Sequence, residues 1–465
     1  MEIVMEIREV EYVILGVGTA GLGAFSRIRK QTDSVLLIQH GPYGTTCARV
    51  GCMPSKMLIA AADLAHAIDE GGYFGIDGNY KVNGKRIFER IKQDRADKFV
   101  GGVLKYVNTI KEQFKIEGKA TFIDQHTIDV DGKLQIKANK VIIACGSTPN
   151  VMPVFEPLRH ELDTSDTIFE LDDLPKSLAV VGLGVIALEL GQAFHRLGVE
   201  TTLYGHSGRI GSFTNPDMKR EVMQTLQQEL NIIPQGDFTH AAKVADGYEL
   251  TYLTGEGEIV TRTYERVLLA SGRVSNLRDM NLENAGLALD SRGLPHYDPL
   301  TMQCGDSPVF IAGDATEDLA LWHEAFIEGR IAADSAISFP TRKEGKRTPE
   351  LGIYFTDPQM ASVGAAYSSL DSEQIIVGRA RMSSGPRHEI YNDHRGMIQI
   401  YADKNSGMLL GAEIFGRGAE HMAHTLVLAI EHKMTVAEVL QMPVYHPSLE
   451  EVMKGALNKV LMQLR

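Results

Sequence analysis

Short apolar runs alternate along this chain with longer stretches whose apolar positions recur at helical spacing, a pattern that predicts buried strands alternating with helices. A strand at 11–14 leads into Gly16-Val17-Gly18-Thr19-Ala20-Gly21, followed by a predicted helix at 22–30 and a second strand at 34–38. About 165 residues later the same order returns: a strand at 178–181, then Gly182-Leu183-Gly184-Val185-Ile186-Ala187, a helix to Leu197 and a strand at 201–204. Each glycine turn suits a tight bend, close backbone approach to a pyrophosphate and a helix N-terminus aimed at it. Ala187 in the third position still permits close packing of helix on strand. Two such units predict two nucleotides and an internal repeat.

Other elements follow from the same patterning. Helices are expected over 57–70, over 86–115 as one or two pieces, and over 321–338. Strands are expected at 120–123, 127–130 and 134–138, as a small antiparallel ribbon, and at 141–143 before the turn Ala144-Cys145-Gly146-Ser147. The run at 266–269 ends in a near copy of that turn, Ala270-Ser271-Gly272-Arg273, and 309–311 ends in Ala312-Gly313-Asp314-Ala315. Asp314 reads equally as a helix cap and as a ligand to a ribityl or phosphate group. After about Arg342 no glycine-rich phosphate turn occurs. Strands at 354–358, 397–401 and 408–414 with helices at 420–433 and 436–441 predict an α+β domain there.

Composition narrows the class. The 465 residues are 44% hydrophobic and carry a formal charge of −13, which argues against a nucleic-acid partner. No run of eighteen apolar residues predicts a membrane span, and the acidic N-terminal segment does not resemble a leader, so a soluble cytoplasmic protein is expected. Four cysteines are too few for a disulfide scaffold, and in a reducing cytosol a functional disulfide is expected to be one that cycles.

The chemistry concentrates at Gly44 to Lys56, GTTCARVGCMPSK. Residues five apart on an ideal helix lie about 8 Å apart, beyond disulfide reach. Gly51 and Pro54 loosen the backbone enough for Cys47 and Cys52 to meet. The pair reads as a catalytic dithiol, as two small buried hydrophobes, or, less well supported, as half of a zinc site. Cys145 reads as packing. Gln39, after the second strand, offers an amide where a carboxylate commonly holds a ribose. The tip Gly205-His206-Ser207-Gly208-Arg209 also lacks a carboxylate, which tilts the second nucleotide towards NADP with NAD left open. Near the end, Tyr445-His446-Pro447-Ser448 and Glu451 read as a surface histidine or as an oriented base.

In this order, GVGTAG, TCARVGCMPSK, ACGS, GLGVIALELG, ASGR, FIAGDA, FTDPQMASVG and HPSLEE resemble the flavin-dependent pyridine nucleotide–disulfide oxidoreductases over essentially the whole chain. The resemblance implies an α/β fold with two Rossmann-like dinucleotide-binding domains, for FAD and NAD(P), and a C-terminal α+β dimerisation domain. The expected division is 1–150 for FAD and the dithiol, 151–275 for NAD(P), 276–341 returning to the FAD domain, and 342–465 as the interface. It implies that Cys52 is the flavin-facing thiolate, Cys47 the interchange thiol, His446 the general acid/base oriented by Glu451, and Lys56 a partner of Glu189 beside the flavin. FAD would be held by Gly16, Gly18, Thr19, Ala20, Gly21, Gln39, Thr46, Gly146, Gly313 and Asp314. The nicotinamide nucleotide would be held by Gly182, Gly184, Val185, Ile186, His206, Arg209, Gly272 and Arg273. No metal is expected.

The family's histidine comes from the other subunit, so a homodimer is implied. The substrate would be a small disulfide or dithiol, or a lipoyl-protein. The MPSK ending resembles dihydrolipoyl dehydrogenase more than glutathione reductase, and the two cysteines argue against the soluble transhydrogenase. Arg49 stands where the family usually has asparagine, and Thr45 replaces a glycine. A flavoprotein redox sensor without turnover is the alternative from another class.

Overall fold

The computed structural model describes residues 6–464, and residues 1–5, which bear on the leader expectation, lie outside the described residues. The chain divides into two compact units. The first takes the chain up to Pro54, Glu89–Asn150 and Gly272–Arg347, and the second takes Ser55–Phe88, Val151–Ser271 and Thr348 onwards.

In the first unit β1 (Glu6–Leu15) pairs in parallel with β2 (Val35–Gln39) on one side and with Leu134–Ile143 on the other. Val309–Ile311 and Lys115–Glu117 extend this parallel layer outwards. Both faces are buried at 12–15, 35–38, 141–143 and 309–311, so these stretches read as unbroken apolar runs. Helix α1 (Thr19–Ile28) packs on one face beside Trp322–Ser338. The two helices approach so closely that a Cβ on Gly329 would sit 2.1 Å from the Ala20 carbonyl oxygen.

The second unit holds a parallel sheet in the order Asn231–Ile233, Glu200–Tyr204, Ser177–Val181, Arg266–Leu269, Asp163–Thr164. Val185–Arg196 is the helix after its glycine turn. The C-terminal part is a five-stranded antiparallel sheet, with Met360–Gly364, Leu409–Phe415 and Met397–Asp403 at its centre, covered by Ala419–Glu431 and Glu451–Gln463.

Several expectations are corrected. The helix expected from residue 57 begins at Cys52, because Pro54 falls in the first turn, where a missing N–H costs nothing. The stretch 86–115 is broken into Gly84–Asp94, a π turn at Arg95–Val100 and Gly101–Thr109. The separate strands at 134–138 and 141–143 are one strand, since β1 pairs along its whole length. The strand at 354–358 is instead Leu351–Tyr354, ending where the Phe355 N–H turns to a side chain and Pro358 has no donor. An antiparallel sheet of Gly236–Val244, Gly247–Thr254 and Ile259–Tyr264 had no counterpart in the sequence reading.

Candidate functional site

The cysteine turn is built by two unusual backbone positions. Gly44 lies at φ +112°, and a Cβ there would press within 3.3 Å of Arg49 Cδ and 3.1 Å of Val100. Thr45, at φ 34°, sits where glycine is at ease, and its hydroxyl accepts from the Ala48 N–H at 3.3 Å. That bond caps α2 (Thr46–Arg49), which carries Cys47. Cys52 opens α3 (Cys52–Asp69). Between them a Cβ on Gly51 would meet the Cys47 Cα at 3.2 Å, so glycine lets the turn fold back on the first cysteine. Both cysteines are half-buried. Burial pushes the Cys145 and Cys304 thiols up to about 12, which removes them from thiolate chemistry.

Lys56 lies on α3, and its ammonium donates to Glu189, a carboxylate only 3% exposed on the helix Val185–Arg196. The other Glu189 oxygen accepts the Phe355 N–H at 2.9 Å, and the ammonium lies 4.8 Å from the Phe355 ring centroid. The contact joins residues 133 apart in sequence. Phe355 is a member of this cluster that the sequence reading left without a role.

The two glycine turns have matching geometry. Gly16, at φ +115°, would place a Cβ 2.2 Å from the Ala144 oxygen, and Gly182, at φ +132°, one 2.3 Å from the Ala270 oxygen. Gly18 and Gly184 begin their helices with nearly identical backbone angles and no side-chain cap. A Cβ on either meets no protein atom within 4 Å. Glycine is required at 16 and 182 by the protein itself. At 18 and 184 the space a side chain would fill lies outside the packed fold, against a helix N-terminus whose N–H groups carry no cap, and this fits a dinucleotide pyrophosphate. Gly21 is structural again, with a Cβ 1.9 Å from the Gly16 oxygen.

Three motifs far apart in sequence meet at Ser147. Its hydroxyl donates to Asp314 at 2.9 Å and accepts from Arg273 Nε at 2.8 Å, while Arg273 also donates to the Ser147 carbonyl at 2.7 Å. Gly146 and Gly272, both at positive φ, border this junction with open space at their Cβ positions. The Gly313 N–H donates to Glu328 at 2.8 Å, and Arg347 clamps Glu328 and Glu324, two carboxylates almost wholly buried. This clamp sets the Gly313–Asp314 turn, and the sequence carried no local sign of it.

Gln39 is engaged by the protein: its side-chain oxygen accepts the Val17 N–H at 2.7 Å and its amide donates to the His40 carbonyl at 3.0 Å. In the second unit, a Cβ on Gly205 would lie 2.4 Å from the Pro234 oxygen, which explains the glycine at that strand tip. A carboxylate arrives there nonetheless, from Asp237, which pairs with His206. Arg209 is exposed.

His446 Nδ1 lies 2.9 Å from Glu451 Oε1, and the Ser448 N–H donates to Oε2 at 3.1 Å. The hydrogen bond to His446, then that from Ser448, holds the Glu451 carboxyl below the usual range. A carboxylate on Nδ1 fixes the tautomer that leaves Nε2 to exchange a proton.

Paired glycine turns on two parallel sheets define an α/β protein of the dinucleotide-binding class. The chain belongs to the pyridine nucleotide-disulphide oxidoreductase family, whose model matches residues 10–329 and whose dimerisation domain matches 351–457. The cofactors of that family are FAD and a nicotinamide nucleotide. The chain is 30% identical over 462 residues to dihydrolipoyl dehydrogenase of Geobacillus stearothermophilus, covering 97% of this chain and 96% of that one. It is 27% identical to mercuric reductase of Staphylococcus aureus, covering 92% and 78%. Its fold matches the HOCl-induced flavoprotein disulfide reductase RclA of Escherichia coli with a TM-score of 0.82, at 21% identity over 97% of this chain and all of that one. No helix among the described residues is long and apolar enough to cross a membrane.

Proposed function

We propose that this protein passes electrons between a nicotinamide nucleotide and an external disulfide through Cys47 and Cys52, with oxidation of dihydrolipoamide to lipoamide as its reaction. The carrying observation is the cysteine turn, with Cys47 on a capped short helix and Cys52 opening the next. Identity to dihydrolipoyl dehydrogenases along almost the full length supports the same choice. The proposed segments are 1–150 and 276–341 for FAD, 151–275 for NAD(P) and 342–465 for a homodimer interface.

FAD, when bound, would relay two electrons between the nicotinamide and the dithiol. Gly16, Gly18, Thr19, Ala20, Gly21, Thr46, Gly146, Gly313 and Asp314 would hold it, with Gln39 fixing the first glycine turn. Gly182, Gly184, Val185, Ile186, His206, Arg209, Gly272 and Arg273 would serve the nicotinamide nucleotide. In the proposed direction a substrate thiolate attacks Cys47 of the disulfide, the Cys47–Cys52 bond breaks, and Cys52 leaves as thiolate. The second substrate thiol then displaces Cys47, closing the substrate disulfide. His446, oriented by Glu451 and supplied by the other subunit, takes the protons released from the substrate thiols. Lys56, anchored on Glu189, would set positive charge beside the flavin.

An anaerobic titration with NADH or NADPH, followed by lipoamide or oxidised glutathione, tests this. A long-wavelength thiolate–flavin band should appear with one nucleotide and vanish with lipoamide. Direct bleaching of the flavin with no such band would sink the dithiol mechanism. Cycling of the dithiol without turnover of any disulfide would favour a redox sensor. Reduction of a low-molecular-weight disulfide other than lipoamide is a second reading, favoured by Arg49 beside Cys47.

A further inference from the structure

Residues 205–215 carry the chain from the strand Glu200–Tyr204 to the helix Pro216–Leu226. This loop has two unlike halves. Residues 206–209, which include His206 and Arg209, are exposed. The half that follows is pinned. Ile210 and Phe213 are buried, and the Gly211 N–H donates at 2.9 Å to the carbonyl of Leu183 in the second glycine turn. Ser212 Oγ lies 3.1 Å from Ser362 Oγ, and a Cβ on Gly211, at φ +60°, would stand 2.4 Å from Met360 Cε. Both partners belong to the strand Met360–Gly364, so the loop rests directly on the C-terminal sheet.

Its last anchor is Glu413 on the strand Leu409–Phe415, a carboxylate only 2% exposed. One oxygen accepts from the Thr214 N–H at 2.8 Å, the Thr214 hydroxyl at 3.1 Å and the Asn215 N–H at 3.2 Å. Burial pushes the Glu413 carboxyl up, and the bonds from Thr214 and Asn215 oppose that rise. A buried carboxylate is costly unless such bonds are made. The helix itself does not require it, because Asn215 already caps it by accepting the Asp217 N–H at 3.0 Å. What Glu413 fixes is the end of the loop, 199 residues away in sequence.

We propose that Glu413 is a positioning residue for the nicotinamide nucleotide: from the C-terminal sheet it holds the loop in the conformation that presents His206 and Arg209 to the ligand. This rests on the reading of His206 and Arg209 as nucleotide contacts. A loop already ordered by the protein loses less conformational freedom when the nucleotide binds, so the anchor strengthens binding without touching the ligand.

The test is calorimetric titration of the oxidised FAD-loaded protein with NAD+ and with NADP+, which reads binding without turnover. Glu413→Ala should raise the Kd of the preferred nucleotide ~10-fold, as expected when charge-assisted hydrogen bonds that pre-order the loop are lost. Glu413→Gln keeps an acceptor oxygen and should raise it less. Thr214→Val, which removes one bond from the loop side, should act in the same direction and carries the test should Glu413→Ala not fold. In stopped flow the limiting rate of flavin reduction should stay unchanged, while the nucleotide concentration for half that rate rises with Kd. Arg209→Ala should itself weaken binding, and adding Glu413→Ala to it should cost less than in the unmodified protein.

An unchanged Kd in the Glu413 and Thr214 variants, with Arg209→Ala or His206→Ala impaired, overturns the inference and leaves the loop as the nucleotide contact. A lowered limiting rate with Kd unchanged also overturns it, since Glu413 would then act on the fold alone. If Arg209→Ala and His206→Ala both bind as tightly as the unmodified protein, the reading of the loop fails as well.

Discussion

Glycines with the same spacing do different work, and the distinction is testable one residue at a time. Gly21→Ala would drive a methyl into the Gly16 carbonyl at 1.9 Å, so it should destabilise the β1–α1 turn by about 2 kcal/mol or more, read as a lowered Tm of the apoprotein. Gly18→Ala meets no protein atom, so the apoprotein should melt as before while FAD retention, read from the flavin-to-protein absorbance ratio, falls at least ~10-fold. His446 is exposed and held through one nitrogen by Glu451. His446→Gln should lower kcat by about 10²–10⁴-fold with flavin reduction by nicotinamide intact. Glu451→Gln should lower it less, because the base remains and only its orientation weakens. Stopped-flow separation of the two half-reactions checks both.

At the scale of elements, the fold rests its cofactor turns on partners from other strands and helices. Arg347 bridges Glu324 and Glu328, and Glu328 in turn holds the Gly313 N–H. Replacing Arg347 with leucine removes the guanidinium from two buried carboxylates, Glu324 and Glu328. The expected loss is about 3–5 kcal/mol, measured by denaturant unfolding, with weaker FAD binding because the Asp314 turn is released. Gly205 shows the same dependence: its contact with Pro234 bars a side chain at the strand tip, and Asp237 from the neighbouring antiparallel sheet brings a carboxylate to His206 instead.

Across the second unit runs a chain of alternating charges. Arg417 holds Asp393, Arg395 bridges Asp393 and Asp357, and Arg196 joins Asp357 to Glu229. Burial alone would raise the Asp393 carboxyl, but hydrogen bonds and charge from Arg395 and Arg417 outweigh it and hold it below the usual range. Glu229 follows the same balance with Arg196. A carboxylate depressed in the folded state contributes stability above its unfolded pKa of about 4, and that contribution is lost as pH falls through the folded value. Tm should therefore drop steeply below about pH 4, and Asp393→Asn should flatten that acid slope. The same substitution leaves two arginines short of a partner and should cost about 2–3 kcal/mol at pH 7, the guanidiniums being partly solvated.

What the sequence determined by itself was everything encoded within a few neighbouring residues. Both glycine turns, the cysteine pair, the His446–Glu451 spacing and the alternation of apolar strands with helices are local, because backbone sterics and helical periodicity act over one or two turns of chain. Tertiary structure decided the rest, since hydrogen bonds between side chains depend on distance in space. Ser147 reaches Asp314 across 167 residues and His206 finds Asp237 across 31, with no periodicity to announce either. Arg49 was visible in sequence as a departure beside Cys47. Only the fold shows that its stem lies over Gly44, at a position where a Cβ would crowd it.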